Sequence, residues 1–217
     1  MSIVIRTLSE RVFDIVRDQI VTGKLPEDLP IRQDALANDL GVSKIPLREA
    51  LARLEQEGLL TSLANRGYFV RGMSAAEVDE IYALRLNIEP EAAAYAATVA
   101  TDEDRRIALD AFEALDRAAN DNLGDVAIRN RDFHTALVRP GGRLLTTQMV
   151  ERLSILAERY VIAHLKPAGR NARAHVEHKK LIDAWMARDA ERLSTLLGEH
   201  IRGTLYDLRA QFGATPV

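Results

Sequence analysis

The chain has 217 residues, 47% of them hydrophobic and 28% charged, with a net charge of −3 and no cysteine. That length can bury a proper core and has room for two domains; the missing cysteines exclude a disulfide framework, and the slight acidity excludes a bulk-basic, nonspecific nucleic-acid coat. The opening run MSIVIRTLSERV turns charged too soon for a secretory signal and no stretch reaches the length of a membrane span, so a soluble, cytoplasmic protein with no membrane partner is expected.

Leu36, Ala37 and Leu40 give the apolar stripe of a short helix, and Gly41 supplies the positive φ needed for a turn. In the segment GVSKIPLREALARLEQEGLL, Ser43 suits an N-cap, and Pro46 falls in the first turn, where its missing donor costs nothing. Leu47, Ala50, Leu51 and Leu54 then face a core, which leaves Lys44 and Arg48 together on the outer face. The pair of helices reads as a helix-turn-helix whose second helix can reach phosphates or base edges. Two short β-prone runs follow, Leu59 to Leu63 and Gly67 to Arg71, predicting a two-stranded wing with Asn65 or Gly67 at the tight positions and Arg66 at the tip. Singly, Lys44, Arg48 and Arg66 could each be a solvated surface charge; their joint placement favours DNA.

A junction is expected at Gly72 and Met73, because Ser74 to Glu77 has the pattern of a capping box. The rest reads helical. The spacing predicts helices over about 75–99, 101–119 after a Thr101 cap, 125–138 ended by Pro140-Gly141-Gly142, 143–165 stopped near Pro167 and Gly169, 170–187, and 190–208. Helices joined by loops this short make an antiparallel bundle, with Tyr82, Phe112, Phe133 and Trp185 in its core. The fold class is therefore mainly α: a winged helix-turn-helix over 1–72 and an all-helical domain over 73–217.

Within the helical domain, Arg85 and Glu89 are four apart, the spacing of an ordinary intrahelical ion pair. Asn130 and His134 share one face of a later helix, with Asp132 pointing elsewhere. His178 and His200 each stand eleven residues from Asp189, so a hairpin turning there sets them at equal height, each about 16 Å from the turn. Three imidazoles and an oxygen ligand suit zinc, nickel or another divalent transition metal. The plainer reading of each histidine is a hydrogen-bonded core residue.

The N-terminal motifs IVTGKLPEDL, DALANDLGVS, KIPLREALARLEQEGLL and RGYFV resemble the winged helix of the GntR family of bacterial transcription regulators. Resemblance implies that Ser43, Lys44, Ile45, Pro46 and Arg48 lie at the operator, with Arg66 and Gly67 approaching the minor groove. Many members carry arginine where this chain has Asp34; Arg32 and Gln33 can take over that contact. The later pieces ALRLNIEPEAA, RNRDFHTAL, VEHKKLIDAWMARDAERL and GEHI are similar to the FCD effector-binding domain in its six-helix, VanR-like form. The resemblance puts the metal ligands at Asn130, His134, His178 and His200, with an amide where many members have aspartate. It turns Arg85 into the ligand pocket, beside the cation, where a small organic acid would bind. His164 and His175 match no ligand position; His175, three before His178, could support a ligand from behind or be exposed, and exposure is expected. A homodimer on a pseudo-palindromic operator, its affinity changed by the acid, is the implied regulator, of the repressor type that is commoner in the family. A sensor of the metal itself is the alternative, and an enzyme is not expected because no carboxylate shares the Asn130 and His134 face.

Overall fold

A computed structural model describes residues 7–27, 29–121, 123–165 and 169–212; Pro167, expected above to stop a helix, and the first six residues lie outside them. The chain divides into two compact units, Met1–Gly72 and Met73–Val217. Among the described residues no helix is long and apolar enough to cross a membrane.

In the N-terminal unit, α1 (Leu8–Val21), α2 (Gln33–Asp39) and α3 (Lys44–Gln56) precede an antiparallel pair, β1 (Leu60–Leu63) and β2 (Gly67–Val70). Thr7 and Glu10 form a reciprocal capping box that starts α1. Val12, Phe13, Val16 and Ile20 then recur on one face and share a core with Leu47, Ala50, Leu51 and Leu54 of α3. Each of these buried side chains other than Ala50 contributes roughly 1.5–3 kcal/mol. Gly41 turns the chain between α2 and α3 with φ +64°. Ser43 occupies the N-cap of α3, but its hydroxyl makes no cap bond. Three residues on, one of its two possible donors is missing: an N-cap oxygen accepts from the second or third helical N–H, and Pro46, third in α3, has none.

The wing pairs Leu60 with Val70 and Leu63 with Gly67. Its tip uses both expected positions, Asn65 at φ +59° and Gly67 at φ +83°, as a short hairpin with a left-handed glycine does. The chain before α2 runs along β2, with bridges from Glu27 to Val70 and Pro30 to Phe69, and the Ile31 N–H donates to the Tyr68 carbonyl at 2.8 Å. This clamps the start of α2 beside the wing.

The C-terminal unit is a bundle of α4 (Ala75–Val99), α5 (Asp102–Asp121), α6 (Leu123–Val138), α7 (Leu144–Leu165), α8 (Arg170–Met186) and α9 (Ala190–Phe212). A 3-10 turn, Arg139–Gly141, separates α6 from α7. Packing of α4 along α9 and of α6 between α5 and α7 encloses one core around Tyr82, Phe133, Tyr160 and Trp185. The cap of α4 is only half the expected box. Ser74 Oγ accepts from the Glu77 N–H at 3.1 Å, while the Glu77 carboxylate turns to the Tyr160 hydroxyl at 2.8 Å. Tyr160 in turn accepts from the Ser74 N–H at 3.0 Å, so a tertiary contact replaces the reciprocal local one. Ser74→Ala is expected to cost about 1 kcal/mol, read from the urea midpoint.

Candidate functional site

Two sites emerge, one in each unit. In the N-terminal unit the clamp between β2 and α2 brings Arg32, Gln33 and Asp34 together with Lys44 and Arg48 of α3 and with Arg66 and Gly67 of the wing, around one open groove. Ser43, Lys44, Ile45, Arg48 and Arg66 are exposed, Ile45 to 70%. Pro46 is the exception among the expected contacts: its side chain is buried in the unit, because its place in α3 falls beside Leu47 on the inner face. Lys44 pairs with Asp34 at 2.5 Å. The groove thus gathers basic side chains at the N-terminus of a helix, the arrangement that phosphate favours.

In the C-terminal unit, the hairpin between α8 and α9 closes through Arg188, at φ +57°. His178 and His200 come together from α8 and α9 with ring centroids 4.7 Å apart, and His134 of α6 joins them at 5.9 and 5.5 Å. Each offers a ring nitrogen within 4.8 Å of the others. His134 and His178 are buried, and the Nε2 atoms of both lack any hydrogen-bond partner. Buried imidazole nitrogens without partners are costly unless something else occupies them. Burial drives the His134 pKa down to about 4 despite the pull of Glu89, and burial with neighbouring His200 and His134 pushes His178 well below its usual value. Both rings are neutral near pH 7 and present lone pairs.

Carboxylates orient two of these rings. His134 Nδ1 lies 3.0 Å from Glu89 Oε2, and His200 Nδ1 lies 2.8 Å from Glu177 Oε2. Donation from Nδ1 to a carboxylate fixes the tautomer with Nε2 free, the pattern that prepares histidine for a metal. Glu89 also takes Arg85 Nε at 2.5 Å and Nη2 at 3.2 Å, at only 3% exposure for the arginine. Burial alone would raise the Glu89 carboxyl, yet Arg85 and His134 outweigh it and hold the pKa at about 2. Arg85 and Glu89 therefore form the ion pair their spacing suggests, and the pair is buried at the histidine cluster.

Arg85, Asn130, His178 and His200 line one cavity of about 40 Å³, room for a few water-sized groups, whose lining also includes the apolar Phe112, Leu115 and Val161. Asn130 is buried there. His175, expected to be exposed, is 44% exposed in its side chain and pairs with Asp116 at 2.5 Å on the cavity lining. His164 has no counterpart among the expected site residues; it is 5% exposed, lines the same cavity, and is held at a pKa of about 4 by burial and by Arg173 and Arg170. No spacing in the sequence singles out Glu177 or His164, since each reaches the site through packing between helices. Glu89 did leave a trace: a charged pair interrupts a helix face otherwise made of Ile81, Tyr82, Ala92 and Ala93.

Comparison with known proteins agrees with both halves. Residues 8–70 match the bacterial regulatory proteins of the gntR family, and residues 80–203 match the FCD domain. BphR of Paraburkholderia xenovorans (strain LB400), an uncharacterized HTH-type transcriptional regulator, is 34% identical over 96% of this chain and 88% of its own length. The HTH-type transcriptional repressor GlaR of Escherichia coli (strain K12) is 32% identical, covering 86% of this chain and 89% of that one. Among solved structures, E. coli McbR/YncC superposes with a TM-score of 0.76 at 24% identity, over 96% of this chain and all of the other, which shows the shared fold. With a gntR-type DNA-binding helix-turn-helix and an FCD bundle in one chain, this protein belongs to the GntR family of transcriptional regulators, in its FCD-containing branch.

Proposed function

We propose that this regulator is a repressor that binds a pseudo-palindromic operator as a homodimer and is modulated by a small carboxylate bound beside a divalent metal in the helical domain. The observation that carries the reading is the convergence of three imidazoles, two with partnerless buried Nε2 atoms, at a cavity that His178 and His200 line together with a buried arginine. His134, His178 and His200 would hold the ion, with Asn130 as the candidate oxygen donor; imidazole ligands suit zinc or nickel. The bound ion supplies a fixed positive charge and a position that a carboxylate oxygen can take. Arg85, though paired with Glu89, lines the same cavity and can turn a donor to a carboxylate, and the apolar lining residues accommodate the body of a small acid. A repressor is favoured by GlaR and by RspR of E. coli, both named HTH-type transcriptional repressors.

The basic groove supports operator contact through Arg32, Gln33, Ser43, Lys44, Ile45, Arg48, Arg66 and Gly67, with the buried Pro46 shaping the turn rather than touching DNA. Exposed Ile45 can meet a thymine methyl group. The effector works only through unequal affinity for the DNA-competent and DNA-incompetent arrangements of the protein. Fluorescence anisotropy with duplexes from around the protein's own gene, at fixed salt, tests the scheme. Specific binding released by one small acid, and only when metal is present, is the expected result. Release by metal alone would make the ion the signal, and a response to neither would remove the effector reading.

Two further expectations follow from side chains already placed. Glu177→Gln weakens the orientation of His200 without touching the ligands, so metal affinity measured by chelator competition should fall roughly 10–100-fold. The dimer draws on an apolar face within the bundle. Leu144, Leu145 and Met149 of α7 are exposed, and Arg143 stacks 4.1 Å over Tyr95, which sets that end of α7 beside exposed Tyr95 and Val99 of α4. Leu145→Asp should shift the sedimentation coefficient to that of a monomer and lower operator affinity with it.

A further inference from the structure

The residues lining the basic groove include one carboxylate, and its partner is the first residue of the reader helix. Asp34 Oδ1 of α2 lies 2.5 Å from Lys44 Nζ of α3, and the two side chains remain 72% and 56% exposed. Arg32, Arg48 and Arg66 line the same groove. An ion pair this exposed contributes little to folding, and a carboxylate turned toward a phosphate backbone is repelled. A donor on docked DNA offsets that repulsion at the oxygen that Lys44 leaves free. In the major groove the donors are the amino groups of cytosine and adenine.

We infer that Asp34 and Lys44 read a G·C base pair as one unit: the ammonium donates to guanine O6 and N7, and the carboxylate accepts from the N4 amino group of the paired cytosine. After bonding Asp34, the ammonium keeps two of its three N–H groups, and the carboxylate keeps its second oxygen. A G·C pair shows two acceptors side by side and then a donor, which uses all of these. An A·T pair sets its amino group between two acceptors, so one ammonium donor is left without a base partner next to the other. A free Lys44 would serve any phosphate. Held by Asp34, it becomes selective for base edges. This rests on the reading that α3 and the start of α2 face the operator.

Selection of the full-length protein against a random-sequence duplex library, alongside Asp34→Ala and Asp34→Asn, tests it. The wild type is expected to enrich a G·C pair at one position per half-site, with a preference of about tenfold or more that Asp34→Ala loses. The alanine variant should also bind random duplex more tightly, with a salt slope steeper by about one phosphate contact, because Lys44 is released to the backbone. Asp34→Asn keeps the shape and should move the preference at that position toward A·T, since an amide bonds adenine N6 and N7. An unchanged consensus in the variants overturns the inference, and so does loss of an A·T preference in place of G·C. Should the alanine variant fail to fold by circular dichroism, the isosteric asparagine variant decides alone. A wild type that enriches no site, while folded, would overturn the operator reading and this inference together.

Discussion

Arg85→Ala is expected to cost about 3–5 kcal/mol of stability, because it leaves Glu89 as a buried carboxylate without its main counter-charge. Glu89 is 0% exposed, and its two oxygens take both Arg85 contacts as well as His134 Nδ1. Solvent cannot replace the guanidinium there. Urea unfolding of the metal-free protein measures the loss, and it confounds any simple test of Arg85 as an effector contact, since a destabilised variant also stops responding. Removing both charges separates the two roles. Arg85→Met with Glu89→Leu should recover much of the stability, as apolar replacements of buried pairs often do. If that variant folds and its thermal midpoint still rises with the same small acids as the wild type, Arg85 supports the fold and does not bind the effector.

The winged helix was legible from local chemistry: a glycine at positive φ, a helical stripe of leucines and a turn-rich hairpin are each set by neighbours in the chain. The helix boundaries of the bundle were legible for the same reason, through Thr101, the Pro140-Gly141-Gly142 run and the turn before Ala190. Legibility failed where one local feature cancelled another or where a distant group intervened. Pro46 removed one of the two partners that Ser43 could have capped. Tyr160, eighty-six residues from Ser74, displaced half of a capping box. The histidine cluster could be anticipated because the α8–α9 hairpin is symmetric about its turn, which makes a tertiary contact follow from counting. Glu177 precedes His178 in the chain yet serves His200 on the next helix, and counting along one helix gives no access to that.

His178→Ala should abolish stoichiometric metal binding while leaving the metal-free fold little changed. A histidine kept for its packing and hydrogen bonds would behave otherwise, losing stability whether or not metal is present. Here the buried Nε2 of His178 has no partner, and its ring is neutral, so without an ion the nitrogen is a cost to the fold that alanine removes along with the ring's contacts to Phe133 and His200. With an ion the balance reverses. A ligand bound only by the native state stabilises it by about 2.7 kcal/mol when free ligand is a hundredfold above Kd, and this gain exists only if the site is complete. Thermal melts in chelator should therefore place wild type and His178→Ala close together, and added zinc or nickel should raise the midpoint of the wild type alone. Equal shifts in both proteins, or no metal retained by wild type purified without chelator, would return the three imidazoles to the role of core residues.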